Sequence, residues 1–307
     1  MKSRTLTLNP KPPYDFHLTA EFLASYQGGS QTDVFEDGQY QRLFLGQNGP
    51  LLATVVSMGQ VDSPQLTATV QGSEVSRADA ASVKADLEWI LTTDAPLGEF
   101  YAQAARDPII GPVVGAFRGM HPTRTPTVFE ALAQAVSAQQ ISSAVARAIR
   151  SRLLERYGPS ISFNDRTYYA FPSPQAVASA SIQGLRDIGL SNRKAEYILD
   201  VATSLMDGSL DLEALRHLPD DQVAEKLLAL RGVGRWTVHW LLIRALGRMD
   251  ALPAGDLALQ KVISQLYFQG ERLSEEELEE FSRRWSPWRS LFTMYLFAAL
   301  RKGLVEM

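Results

Sequence analysis

The 307-residue sequence contains no cysteine. That absence excludes disulfides, thiolate zinc sites, a cysteine nucleophile and a cysteine-ligated iron–sulfur cluster. Long hydrophobic runs are missing too. Leu291 to Leu300, the longest, is broken by Thr293 and falls short of the ~20 residues that a membrane-spanning helix needs. No apolar core of a signal segment stands near Met1, so the expectation is a soluble, cytoplasmic protein with no membrane contact. An excess of positive charge is also absent: 30 Lys+Arg against 34 Asp+Glu give a net charge of −4. Such a chain does not coat nucleic acid by bulk electrostatics, and any contact with a polyanion has to be local.

What is present is ordinary for a globular protein, 45% hydrophobic and 21% charged residues. The length predicts two domains or one large composite. In the first part, Leu6-Thr-Leu8, Tyr40 to Leu45, Leu51 to Val56 and Gln65 to Gln71 are short, β-branched or alternating, and are separated by turn residues such as Gln47-Asn-Gly-Pro50. Helical periodicity interrupts them at Leu18 to Tyr26 and at Arg77 to Thr92. The pattern predicts an antiparallel sheet with helices, an α+β domain over residues 1–112. Pro96, Asp107-Pro108 and Gly111-Pro112 mark its end, Gly115 to Thr127 reads as a loop, and residues 113–307 read as all-helical. A monomer is expected.

The helical part carries two kinds of signal. One is the junction: Val128 to Gln139 is a helical pattern that stops at Gln139-Gln-Ile-Ser142, before a second helix over Ala144 to Tyr157. A second junction lies at Gly189, with Ser191 as the cap of a helix whose first turn holds Arg193 and Lys194, within reach of a phosphate backbone. The other signal is a glycine turn. In Leu228-Ala-Leu-Arg-Gly-Val-Gly-Arg-Trp-Thr-Val-His-Trp240, Gly232 and Gly234 permit positive-φ conformations and close backbone approach between two helices. Successive N–H groups and a positive helix end then face whatever sits over the turn, and a phosphate fits there. A compact helical turn with no ligand has the same sequence.

Beyond the turn, Trp236 and Trp240 share one helix face at i,i+4. Pro253-Ala-Gly-Asp256 then opens another helix, and Asp256 is a good N-cap on structural grounds alone. The roles are compatible, because a helix N-terminus also favours an ionised carboxylate. Such a carboxylate can stabilise positive charge growing on a substrate and orient an attacking water.

Together, the turn, the tryptophans and the aspartate resemble the motif of the helix-hairpin-helix DNA glycosylase superfamily, and within it are most similar to the 3-methyladenine DNA glycosylase II group. Pro12-Pro-Tyr-Asp-Phe16, Leu185 to Ala195 and Arg284-Trp-Ser-Pro-Trp-Arg-Ser290 resemble further segments of that group. Departures are Arg231, where proline is frequent, Val238, and Gln140, where many members have leucine. The resemblance implies an α+β domain followed by a helical glycosylase domain acting on alkylated bases in double-stranded DNA, as in base excision repair. It implies Asp256 as the catalytic carboxylate and Trp236, Trp240 and Phe297 as the base pocket. Gln139, Gln140, Arg231, Gly232, Gly234, Arg235, Thr237 and Arg289 are the implied DNA contacts, with position 140 entering the space that an extruded nucleotide leaves.

It also implies a monovalent cation, sodium or potassium, on the carbonyls of Leu228, Leu230 and Val233, and no cofactor for the chemistry. Strand-nicking relatives carry a lysine at the position of Trp236, so the resemblance points to a monofunctional enzyme without lyase activity. Two alternatives stay open: a glycosylase for oxidised or mismatched bases, and a non-catalytic DNA-binding protein that uses the hairpin alone.

Overall fold

The computed structural model describes residues 1–24 and 29–305. Five antiparallel strands, β1 (Lys2–Leu8), β2 (Asp33–Glu36), β3 (Gln39–Gly46), β4 (Gly49–Ser57) and β5 (Leu66–Gly72), form one sheet in the order β1-β5-β4-β3-β2. The alternation of β5 decides its two faces: Leu66, Ala68 and Val70 are buried and the intervening threonines are not. On the first face lie α1 (Phe16–Ala24) and α2 (Arg77–Ile90), the latter started by a capping box between Ser76 and Asp79. The predicted first helix runs on to Tyr26, and Ser25 and Tyr26 lie outside the described residues.

The expected break at 112/113 falls inside a helix. After α3 (Gly98–Ala104), α4 (Ile110–Ala116) holds Pro112 in its first turn, where a missing N–H has no helical partner to lose. Phe100, Ile110, Val114 and Phe117 already belong to the helical core, where Phe100 meets Phe292 and Tyr295 with ring centroids 5.0 Å from each. The change of packing therefore comes upstream of the Pro/Gly cluster, near Ala95.

The remaining elements are α5 (Val128–Ala138), α6 (Ser143–Tyr157), β6 (Ser160–Phe163), β7 (Arg166–Tyr169), α7 (Pro174–Ala178), α8 (Ile182–Asp187), α9 (Asn192–Met206), α10 (Asp220–Leu228), α11 (Arg235–Arg244), α12 (Leu257–Tyr267), α13 (Glu275–Ser282) and α14 (Arg289–Arg301). The all-helical expectation needs one correction. β6 and β7 form a two-stranded hairpin, turned by Asn164 and Asp165 at φ 48° and 60°, the pair of positive angles that a two-residue hairpin loop demands. Tyr168 and Ala170 cover the second face of the large sheet, against Val34, Leu43 and Leu52.

A buried charge cluster ties the sheet to α5. Arg42 on β3 donates to Asp33 Oδ1 at 2.7 Å and to both oxygens of Glu130, at 2.7 and 3.0 Å, and all three side chains are withdrawn from water. Tyr40 and Thr32 complete the shell of Asp33, at 2.6 and 2.8 Å. Thus α5, whose far end is the Gln139–Gln140 junction, is fixed to the sheet at its beginning.

Candidate active site and nucleic-acid interface

The hairpin between α10 and α11 is built on two glycines with different reasons for being glycine. Gly232 has φ +80°, and a Cβ there would stand 2.0 Å from Cδ2 of Tyr197, so the turn itself demands it. Gly234 corrects the expectation of a positive angle: its φ is −110°, and a Cβ would meet nothing within 4 Å. No contact among the described residues explains the second glycine, which is exposed and precedes α11. In this part α5 to α9, α12 and α13 carry a Ser, Thr or Asp side-chain cap; α10 and α14 have none, and neither does α11 at the hairpin. Its first-turn N–H groups are left for an external acceptor.

Asp256 is half-buried at the start of α12, and its two oxygens do different things. Oδ1 accepts from the backbone N–H of Ala258 and Leu259 at 3.1 and 3.2 Å, the N-cap that the sequence predicted. Oδ2 accepts from the indole N–H of Trp236 at 2.9 Å. The loop behind is held by Gln260, which donates to Ala254 O at 2.8 Å. Glu275 is exposed and lies against this loop: a Cβ on Gly255 would come to 2.9 Å from its Oε1.

From Trp236 a row of rings leads away from the carboxylate. Trp236 meets Trp240 edge to face at 6.2 Å, and Trp240 meets Phe297 at 5.6 Å. All three are only partly buried, so the row has an accessible side. Trp240 Nε1 is buried and has no acceptor among the described residues. Between the tryptophans, His239 is pushed below the ordinary histidine pKa by burial, against the opposing pull of Glu279. A cavity of about 600 Å³, lined by Glu99, Gln103, Arg106, Arg284 and Trp288 among others, lies apart and shares none of these residues.

Several expected DNA contacts turn inward. Thr237 is buried, and its hydroxyl accepts from Gln139 Nε2 at 3.1 Å; the same Gln139 amide donates to Gly232 O at 2.8 Å. Arg289 is paired through two nitrogens with Asp250, at 2.7 and 3.0 Å, and fastens the start of α14 to the segment before α12. Its bonds hold Asp250 below the usual carboxylate pKa although burial alone would raise it. Gln140 is exposed and stands at φ +55°. Arg231 bridges to Asp200 and Glu196 over the Tyr197 ring but stays largely exposed, and Arg235 is exposed.

Of the residues expected to present carbonyls to a cation, Leu228 ends α10 and Leu230 and Val233 stand on the hairpin loop; Leu230 O accepts from Val233 N–H at 3.2 Å. Neutral carbonyl oxygens suit a hard monovalent ion, and no group of three His, Cys, Asp or Glu side chains suited to a metal occurs among the described residues. Nor is any described helix long and apolar enough to cross a membrane.

Residues 133–287, which hold the hairpin, the aspartate and the Gln139–Gln140 junction, match the model of the HhH-GPD superfamily base excision DNA repair proteins. The DNA-3-methyladenine glycosylase of Bacillus subtilis strain 168 is 32% identical over 213 residues, 69% of this chain and 70% of that protein. DNA-3-methyladenine glycosylase 2 of Escherichia coli K12 is 24% identical over 95% of this chain and 96% of its own length. Among solved structures, the 3-methyladenine DNA-glycosylase from Archaeoglobus fulgidus superposes with a TM-score of 0.82 at 28% identity, covering 97% of this chain and 98% of that one.

Proposed function

Because the chain belongs to the HhH-GPD superfamily of base excision DNA repair proteins, we propose that it is a monofunctional DNA-3-methyladenine glycosylase that hydrolyses the N-glycosidic bond of N3- or N7-methylated purines in duplex DNA. One observation carries the reading: a carboxylate whose Oδ2 is steered by the Trp236 indole stands at the head of an aromatic row with an accessible side.

A purine methylated on a ring nitrogen is a cation, drawn to electron-rich ring faces and easily expelled. Extruded from the duplex, it lies along Trp236, Trp240 and Phe297 with its sugar beside Asp256. As the C1′–N bond breaks, its electron pair passes to the base and cancels the positive charge there. The charge growing on the deoxyribose faces the Asp256 carboxylate, which stabilises it and orients water toward C1′. Water oxygen forms the new bond to C1′, and its proton leaves to the carboxylate or to solvent.

The backbone grip comes from the uncapped α11 and the bare Gly234, which lets a phosphate approach the N–H groups. Arg231 and Arg235 add charge beside it, and Gln140 enters the vacated place in the stack. The carbonyls of Leu228, Leu230 and Val233 would hold a sodium or potassium ion, which would add positive charge to this grip. The chain acts as a monomer on DNA. Trp236 favours hydrolysis over strand nicking, since a Schiff base requires an amine there.

The decisive experiment is single-turnover base release from duplexes carrying methylated, oxidised or deaminated bases, with wild type and Asp256→Asn. Release of methylated purines by wild type, falling by about 10²–10³ in the variant with duplex affinity retained, is the expected result. Release of oxidised bases alone, or an Asp256→Asn variant that works at near wild-type rate, would overturn the reading.

A further inference from the structure

Lys194 sits in the first turn of α9, the wrong end of a helix for a positive charge. The geometry gives the reason. Its Nζ leaves its own helix and donates to two carbonyls at the C-terminal end of α5, Ser137 O at 3.0 Å and Gln139 O at 2.5 Å. There an ammonium is favourable twice over, since it satisfies orphan carbonyls and faces the negative end of the α5 dipole. Desolvation lowers its pKa relative to a free lysine, in keeping with a side chain drawn in rather than extended toward a phosphate.

What the lysine holds is the junction. Gln139 is the C-cap of α5, and the next residue, Gln140, is left-handed at φ +55°, a conformation sparsely populated by residues with a Cβ. From the other side, Gln139 Nε2 reaches Gly232 O in the hairpin. The ammonium, the cap residue and the hairpin carbonyl form a continuous chain of contacts from α9 through the α5 terminus to the turn that grips the backbone. Ile141 beside it is exposed.

We propose that Lys194 is a positioning residue for nucleotide extrusion: by clamping Ser137 and Gln139 it locks the left-handed Gln140 turn in register with the hairpin, so that Gln140 meets the duplex in the conformation that replaces the extruded nucleotide. This rests on the glycosylase reading above. Lys194 touches neither the base nor Asp256, and acts through Gln139 and Gln140.

The test compares wild type, Lys194→Met and Lys194→Arg in single-turnover release of a methylated purine from two duplexes. In one the purine has its normal partner; in the other it stands opposite an abasic gap, where extrusion costs less. Lys194→Met is expected to be slower by about tenfold or more on the paired duplex, because a displaced positioning element costs that order of rate, and close to wild type on the gapped one. Lys194→Arg, which keeps the donors, is expected to recover most of the loss. Melting temperatures establish that both variants fold.

Equal slowing on both duplexes, or no slowing on either, overturns the proposal. So does a loss of about one unit in the salt slope of duplex affinity, which would make Lys194 a phosphate contact. A parallel arm reads extrusion without chemistry: 2-aminopurine beside the lesion brightens on binding wild type, and less on binding Lys194→Met. If wild type releases no base from either duplex, the glycosylase reading fails, while this fluorescence arm still decides for or against Lys194.

Discussion

The indole N–H of Trp236 points at Oδ2 of Asp256 from 2.9 Å, while Oδ1 of the same carboxylate is held by two backbone N–H groups of α12. The carboxylate is fixed in rotation by donors from two different helices, and one oxygen is presented beside the aromatic row. Trp236→Phe keeps an aromatic ring, smaller than the indole, and removes the donor. A hydrogen bond to a charged group contributes about 1.5–3 kcal/mol, so base release is expected to slow by roughly 10- to 100-fold. Duplex affinity, measured by fluorescence anisotropy, is expected to stay near wild type. A slowing of twofold or less would mean that the helix cap alone positions the carboxylate.

The two hairpin glycines separate folding from binding. Gly232→Ala places a Cβ inside Tyr197 and forces an L-residue to φ +80°, so it is expected to cost about 1–3 kcal/mol or more of stability. Gly234→Ala has open space and an ordinary φ, and its melting curve is expected to overlay wild type. Its effect falls on DNA: affinity for damaged and undamaged duplexes weakens alike, by roughly 1 kcal/mol or about fivefold in Kd, because a backbone grip carries no sequence information. A loss confined to damaged DNA would place Gly234 in the base pocket instead.

Much of this was legible in the chain because the signals are local. The alternation of β5 and the cap at Asp256 are decided by neighbours in sequence, and the structure repeats them. The β6–β7 hairpin was missed because four-residue strands make a weak period, although Asn164-Asp165 between Ser-Ile-Ser-Phe and Arg-Thr-Tyr-Tyr is a turn signal. Pro112 looked like a break and is a helix start, since proline is equally at home in a first turn. Illegible were the partners: Gln139 and Gly232 are 93 residues apart, and Arg289 and Asp250 are 39 apart. Nothing local distinguishes an arginine that faces DNA from one that fastens two segments. The uselessness of Gly234 to the fold, which points to a ligand, is visible only when its φ and its empty surroundings are known together.

Asp33 and Glu130 share the Arg42 guanidinium without being equivalent. Burial would raise both carboxyls; for Asp33, Arg42 with the hydroxyls of Tyr40 and Thr32 outweighs it and the pKa ends below the ordinary value, whereas for Glu130 burial prevails and the pKa ends above. The depressed Asp33 contributes stability at pH above the unfolded pKa, and this is lost as pH falls through its lower folded value. The raised Glu130 has the opposite sign: its folded form is favoured while protonated, and that contribution fades as pH rises through its folded pKa. Asp33→Asn is therefore expected to cost about 3–5 kcal/mol at neutral pH, the order for breaking a buried ion pair, and Glu130→Gln distinctly less. Urea unfolding at pH 7 ranks the two. Equal costs would show that both carboxylates are held as ions by the one guanidinium.

On the proposed reading, the side chain at position 236 separates hydrolysis from strand nicking. A glycosylase that nicks its strand attacks C1′ with an amine and passes through a Schiff base that borohydride reduces to a stable adduct. Here Trp236 holds Asp256 Oδ2, and Lys261, the next lysine after the aspartate, is exposed one turn into α12 beyond the cap. Lys194 is committed to the α5 carbonyls. With no amine presented at the carboxylate by these residues, wild type incubated with a methylated duplex and borohydride is expected to give free base, an intact abasic strand and no covalent protein–DNA species on a denaturing gel. A trapped adduct would overturn the monofunctional assignment. Repeating the trap with Lys261→Met would then show whether that lysine had supplied the amine, and would leave the role of Asp256 to be measured separately by base release.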